Sequence, residues 1–70
     1  MLMESPVSHL GDRIRQFREA RGLLQRELAS ASALPIRTIG RIERGEVDMR
    51  LSTLNKIAVA LGVPIKDLIP

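Results

Sequence analysis

The chain contains no cysteine, tryptophan or tyrosine, and its one aromatic residue is Phe17. Without cysteine, neither a disulfide framework nor a thiolate metal site can add to the stability of this chain of 70 residues. Because aromatic residues are so scarce, the core must be made mostly of Leu, Ile, Val and Ala. A domain of this size has a core that is only marginally sufficient. These absences predict one small domain with an aliphatic core.

The sequence also lacks the motifs of a membrane protein, a secreted precursor or an enzyme. No stretch approaches the roughly 18 consecutive apolar residues that span a bilayer, and no basic start with a following apolar run indicates a signal peptide. The sequence contains one histidine, His9, and no cysteine, so it offers no cluster of His and Cys metal ligands. The sequence shows no serine or cysteine elbow with a histidine partner, no glycine-rich phosphate loop and no carboxylate pair that would flank a cleft. We therefore expect a cytoplasmic protein that is not an enzyme and uses no metal or cofactor.

Basic residues outnumber acidic ones, with 11 Lys and Arg against 8 Asp and Glu, for a formal net charge of +3. Nine of the bases are arginine and two are lysine. The planar guanidinium suits phosphates and guanine edges better than the lysine ammonium does. A GC-rich genome would also favour arginine codons, so composition alone leaves these two explanations equal.

Apolar residues recur with a helical period along the whole chain, which predicts five short helices and no strand. Residues 1–7 are expected to form a flexible arm, and residues 8–70 a single domain. Glycine, proline and the apolar spacing set the expected helix bounds. These bounds are about 8–21, 25–31, 35–45, 51–61 and 64–69. In the fourth helix, the residues expected to face inward are Leu51, Leu54, Ile57, Ala58 and Leu61.

The third helix, in the segment ALPIRTIGRIERG at 33–45, has a basic face and an apolar face. At about 100° per residue, Ile36, Gly40, Arg44, Arg37 and Arg41 lie within an arc of about 140°. The other side carries mostly aliphatic residues. A solvated helix usually mixes acids with bases on its outer face, whereas this face has three arginines and a glycine. The pattern suits a helix that approaches the major groove of DNA closely.

Four segments together resemble the Cro/repressor-like helix-turn-helix domain, also called the XRE family. They are IRQFREARGL at 14–23, QRELA at 25–29, RTIGRIERG at 37–45 and LSTLNKIAVALGVPIKDLI at 51–69. The family pattern wants small residues at its fifth and ninth positions and aliphatic residues at its fifteenth and eighteenth. Counted from Gln25, these positions hold Ala29, Ala33, Ile39 and Ile42. The resemblance implies a compact all-α, lambda-repressor-like fold of five helices that binds double-stranded DNA.

The resemblance also assigns roles to individual residues. Ile36, Arg37 and Arg41 match the base-reading positions of the recognition helix, and Gly40 would allow close approach to the groove. Gln25 matches a position that touches a backbone phosphate or an outer base. Arg44 matches a position that touches phosphate, and Arg50 is the remaining candidate in the loop after the recognition helix. Ordinary capping of a helix end is an equal alternative for both arginines. Arg18 and Glu43 match a structural pair that joins the first helix to the end of the third.

Four features depart from the family pattern. Leu24 replaces the usual polar cap of the second helix. Ala33 replaces the turn glycine, and Pro35 replaces the hydroxyl cap of the recognition helix while still favouring a helix start. The loop EVDM at 46–49 carries two acids where many relatives are basic. These acids put phosphate contacts from the loop in doubt.

The sequence thus predicts a sequence-specific transcriptional regulator, a repressor that binds a palindromic operator as a homodimer. One recognition helix reads only a few base pairs, so helix-turn-helix proteins commonly pair two copies about one DNA turn apart. Two alternatives are an antitoxin, which would neutralise a toxin through a surface away from the arginines, and an RNA-binding protein, which would need an aromatic stacking platform. The expected dimer surface consists of the C-terminal aliphatic residues Val63, Ile65, Leu68 and Ile69.

Overall fold

The computed structural model describes residues 6–69, which form five α-helices and no strand. The predicted all-α architecture is therefore confirmed. The helices are α1 (Pro6–Ala20), α2 (Gln25–Ser32), α3 (Ile36–Glu43), α4 (Leu51–Leu61) and α5 (Ile65–Leu68).

The first helix begins earlier than predicted, at Pro6 rather than near Ser8. The expected arm of residues 1–7 therefore overlaps α1 by two residues, and residues 1–5 lie outside the described part of the chain. Proline is well suited to the first turn of a helix, because the amide hydrogen that it lacks would have no partner inside the helix. The bounds of α4 are those predicted, and α3 ends at Glu43, two residues before Gly45.

The core lies between the helices, all five of which contribute buried side chains to it. Helix α2 packs on α3 and α4, whereas α1 packs on α3, α4 and α5. This arrangement holds α3 against α1 and α2 and leaves its other side at the surface. The fully buried large side chains are those of Ile14, Leu28, Ile39, Ile42, Ile57 and Leu68.

Gly11 allows α1 to pack closely against the end of α3. A β-carbon at this position would clash with the Ile42 carbonyl oxygen and would lie 3.0 Å from the Glu43 carbonyl oxygen. Both neighbours are backbone atoms, which cannot move aside as a flexible side chain can. Any larger residue at position 11 would therefore push α3 away from α1.

The turn between α2 and α3 depends on Ala33, which has the left-handed backbone angles φ 57° and ψ 39°. The Ala33 N–H donates to Ser30 at 3.2 Å, and the Leu34 N–H donates to Ala29 at 3.0 Å. These bonds satisfy two carbonyls at the end of α2, in the manner of a helix that ends in a glycine. Glycine adopts this conformation freely, whereas a residue with a β-carbon is strained by it.

Two apolar residues lie elsewhere than predicted. Leu51, expected to face inward, is 70% exposed, because it occupies the first position of α4 and the edge of its apolar face. Leu68, expected at a dimer surface, is 0% exposed and belongs to the core of the monomer. Its assignment to an interface is therefore wrong. The neighbouring Ile69 is 51% exposed, so only one of the two adjacent side chains is available to a partner.

We expect Ala33→Gly to raise the free energy of unfolding by about 0.5–1 kcal/mol. Relief of about 1–2 kcal/mol of left-handed strain exceeds the extra unfolded-state entropy of glycine, which is about 0.4–1 kcal/mol. The matched control is Ala31→Gly, in the helical part of α2, which should lower the same quantity by about 0.5–1 kcal/mol. Urea denaturation of both variants measures the difference. A loss of stability in Ala33→Gly would contradict the strained turn.

Candidate nucleic-acid interface

Helices α2 and α3 begin without the side-chain caps that are usual at such positions. Leu24 precedes α2 and makes no side-chain cap, but its own N–H donates to Glu27 Oε1 at 2.8 Å. Pro35 precedes α3 in an extended conformation, with φ −62° and ψ 144°. Because the fixed φ of proline suits this junction, α3 starts at Ile36 without a hydroxyl cap.

Helix α3 separates its two faces as the sequence predicted. Ile39 and Ile42 are buried in the core. Arg37 and Arg41 are exposed, and Ile36 beside them is 53% exposed. The surface of α3 therefore presents two cations and one aliphatic side chain, which can contact guanine edges and a thymine methyl group respectively.

The Arg18 and Glu43 side chains form a buried, bidentate ion pair. Arg18 Nε donates to Glu43 Oε2 at 2.7 Å, and Arg18 Nη2 donates to Glu43 Oε1 at 3.1 Å. Arg18 Nη1 also donates to the Leu23 carbonyl oxygen at 2.7 Å. The hydrogen bond to Glu43 raises the pKa of the Arg18 guanidinium above its ordinary value. The pair therefore fixes the end of α3 to α1 and to the loop that follows α1.

Gln25 joins the same carboxylate from a third helix. Its Nε2 donates to Glu43 Oε1 at 3.1 Å, and its side chain is half-buried. The sequence interpretation made Gln25 a backbone or base contact and did not anticipate this bond. The bond sets the orientation of the amide, because the nitrogen must face Glu43. The amide oxygen lies beside the middle of α3, 4.0 Å from where a β-carbon of Gly40 would be.

Gly40 is buried, so the expectation that it leaves an open approach to the helix requires correction. The Arg44 guanidinium covers it, with Nη1 3.1 Å from the position of a β-carbon at Gly40. The absent side chain therefore leaves room for the Arg44 guanidinium beside α3.

Arg44 is itself paired with an acid. Its Nε donates to Glu46 Oε2 at 2.6 Å, and its Nη2 donates to Glu46 Oε1 at 3.3 Å. The hydrogen bond from Arg44 lowers the pKa of the Glu46 carboxyl, and the positive charges of Arg44 and Arg41 act in the same direction. Arg50, the remaining candidate for a backbone contact, is exposed at the start of α4.

Three residues make contacts that the sequence did not predict. Gly11 sets the distance between α1 and α3. Arg13 Nε donates to the Asp67 carbonyl oxygen at 2.7 Å and ties α5 to α1. Glu46 forms an ion pair with Arg44. The sequence signals were weak: a glycine inside an amphipathic helix, and an acid two residues after an arginine.

None of the helices within residues 6–69 is long and apolar enough to cross a membrane. In the same part of the chain, no group of three or more His, Cys, Asp or Glu side chains could hold a metal ion.

The arrangement of α2, the left-handed turn and α3 defines a helix-turn-helix fold. Helix α2 packs against α3, and the outer face of α3 is exposed. A family model described as a helix-turn-helix domain matches residues 9–69. The chain belongs to this family. Membership confirms the resemblance drawn from the sequence and identifies the domain as a binding module rather than an enzyme.

Individual relatives agree with the assignment. The chain is 32% identical over 60 residues to the HTH-type transcriptional regulator DdrOP3 of Deinococcus deserti, covering 86% of this chain and 46% of that protein. It is 36% identical over 67 residues to the HTH-type transcriptional regulator SutR of Escherichia coli, covering 96% of this chain and 38% of that protein. The chain thus spans less than half the length of either regulator.

A solved structure matches over almost its whole length. It is the restriction-modification controller protein C.AhdI from Aeromonas hydrophila, with a TM-score of 0.88 and 35% sequence identity. The match covers 90% of this chain and 96% of that one. The chain therefore shares the fold of that controller protein.

We expect Glu43→Ala to lower the free energy of unfolding by about 3–5 kcal/mol, because Arg18 would be left buried and unpaired. Gln25 would lose its partner as well. The control is Glu46→Ala, which removes an exposed ion pair and should leave the stability nearly unchanged. Thermal denaturation followed by circular dichroism compares the two. Equal melting temperatures for Glu43→Ala and the wild type would show that the pair contributes nothing to folding.

Proposed function

We propose that this domain binds double-stranded DNA in a sequence-specific manner and regulates transcription. The observation that carries the proposal is the exposed face of α3, where Arg37 and Arg41 project from a helix whose other side is buried. Arginine most often reads DNA by donating two hydrogen bonds to O6 and N7 of guanine. The named regulators among the relatives support the same role.

In the proposed complex, α3 lies in the major groove and α2 lies across its edge. Ile36, next to Arg37, contacts a thymine methyl group. Gln25, Arg44 and Arg50 meet the phosphate backbone, which positions the domain but carries no sequence information. The bond from Gln25 to Glu43 holds the amide beside α3. The second hydrogen of the amide nitrogen is the donor left for a phosphate oxygen.

We further propose that the domain acts as a repressor and binds a palindromic operator as a homodimer. Helix α3 has 8 residues, so it is about 12 Å long and matches about four base pairs at 3.4 Å each. So short a site needs a second copy to reach useful specificity. Ile69 is the exposed member of the proposed dimer surface, and Val63 and Ile65 are half-buried beside it.

We expect Arg37→Ala and Arg41→Ala each to lose about 1–3 kcal/mol of operator binding and to relax the preference at one or two base positions. Arg44→Ala should leave the base preference unchanged and flatten the salt dependence by at most about one phosphate per subunit. The measurement is selection of bound duplexes from a random pool, followed by titration of the selected operator.

The control for this experiment is Arg15→Ala, an exposed arginine on α1 that lies 3.4 Å from Asp12. It changes the net charge by the same amount but belongs to another helix. If Arg37→Ala and Arg41→Ala keep the wild-type base preference, α3 is only a basic surface and the reading mechanism is wrong.

We expect Ile69→Glu to give a folded monomer, because a carboxylate at an apolar interface loses its hydration without gaining a partner. Sedimentation at several protein concentrations should show a dimer for the wild type and a monomer for the variant, with unchanged helical circular dichroism. The control is Leu24→Glu, since Leu24 is 49% exposed and lies at the start of α2. It should remain dimeric. A wild-type chain that stays monomeric even on operator DNA would contradict the dimer.

A further inference from the structure

The pairing of Arg44 with Glu46 has the geometry that arginine also uses for phosphate. Two nitrogens of one guanidinium face two oxygens of one carboxylate, at 2.6 and 3.3 Å. Bidentate arginine binding of carboxylate and of phosphate follows the same planar pattern. The carboxylate of Glu46 therefore occupies the donors that Arg44 would offer to DNA.

The chain positions Glu46 for this contact through the turn at the end of α3. Gly45 has a positive φ of 71°, and its N–H donates to the Ile42 carbonyl oxygen at 3.0 Å. The Glu46 N–H donates to the Arg41 carbonyl oxygen at 2.9 Å. These two bonds turn the chain back over the last turn of α3. Glu46 is thereby placed next to the arginine face rather than out in the following loop.

Both members of the pair lie at the surface, with side chains 58% exposed for Arg44 and 47% exposed for Glu46. Exposed ion pairs contribute little to stability, because water and salt screen them. A strong phosphate ligand can therefore replace the carboxylate without unfolding anything. The pair is suited to exchange rather than to holding the fold together.

We propose that Glu46 competes with DNA phosphate for Arg44 and thereby limits the affinity that the domain gains from the phosphate backbone. This inference rests on the proposed DNA-binding function. Binding to random DNA depends almost entirely on phosphate contacts, so occupying one of the arginines weakens it directly. A phosphate that reaches Arg44 must displace the Glu46 carboxylate. Breaking this ion pair costs the same free energy on the operator as on random DNA, so Glu46 lowers the affinity for both.

The size of the effect follows from counterion release. One phosphate contact changes the slope of log affinity against log salt by about 0.9. Between 1 M and 0.1 M salt, this slope corresponds to about an eightfold change in affinity. Glu46→Gln removes the competing charge and keeps the shape of the side chain. We therefore expect it to bind a short duplex of random sequence up to about eightfold more tightly per subunit, with a correspondingly steeper salt dependence.

The matched control is Asp48→Asn. Asp48 is exposed in the same loop, and its side chain makes no ion pair with the described residues. Both substitutions raise the net charge by one, so a general charge effect would appear equally in both. A second comparison uses Arg44→Ala as background. If Glu46 acts through Arg44, then Glu46→Gln in that background should change the affinity no more than Asp48→Asn does.

The measurement is fluorescence anisotropy of a labelled random duplex over about 50 to 200 mM salt, repeated with the selected operator. The proposal requires that Glu46→Gln raise the affinity for both duplexes by more than Asp48→Asn does. It is overturned if Glu46→Gln and Asp48→Asn behave alike, or if the gain survives in the Arg44→Ala background. Failure of the wild type to bind any duplex would instead contradict the proposed function itself, and this inference with it.

Discussion

The carboxylate of Glu43 joins three helices at one buried point. It accepts two hydrogen bonds from Arg18 on α1 and one from Gln25 on α2, while its own backbone ends α3. A charge in such a place must keep its partners, because an unpaired buried ion is strongly unfavourable. The orientation of α3 relative to the other two helices is therefore restricted to arrangements that keep all three bonds. The direction in which Arg37 and Arg41 project depends on this constraint.

Close packing works together with the ion pair to hold α3. Gly11 brings the backbone of α1 against the last carbonyls of α3, while Ile39 and Ile42 fill the core behind the helix. A helix of 8 residues has little stability of its own in water. Its conformation is therefore maintained by its packing against α1 and α2. The exposed face, with Ile36, Arg37 and Arg41, follows from the burial of the other side of the helix.

The helices were largely predictable because apolar spacing, proline and glycine mark them locally. Helix α4 was placed correctly because five apolar residues of helical period end at Gly62, whose φ of 72° closes the helix. Burial at the ends of helices was not predictable in this way. Leu68 and Ile69 are adjacent and equally apolar, and only the docking of α5 on α1 and α4 decides that Leu68 is enclosed. The hydrogen-bond partners of Gln25 and Arg44 could not be predicted either. Glu43 meets Gln25 only through the packing of α2 on α3, and Glu46 meets Arg44 only because the chain turns back at the end of α3.

The charge that DNA would meet depends on pairing more than on the number of arginines. Arg37 and Arg41 make no ion pair with the described residues. Arg44 is paired with Glu46 at the surface, and Arg18 is buried in its ion pair with Glu43. Arg37 and Arg41, the proposed base contacts, are thus exposed and make no ion pair with the described residues. Arg44, the proposed phosphate contact, is partly neutralised by Glu46. Phosphate attraction acts on every DNA sequence alike, and the Arg44–Glu46 pair reduces it at one arginine. In the proposed complex, the acidic loop beside the basic helix therefore limits the attraction to phosphate without occupying Arg37 or Arg41.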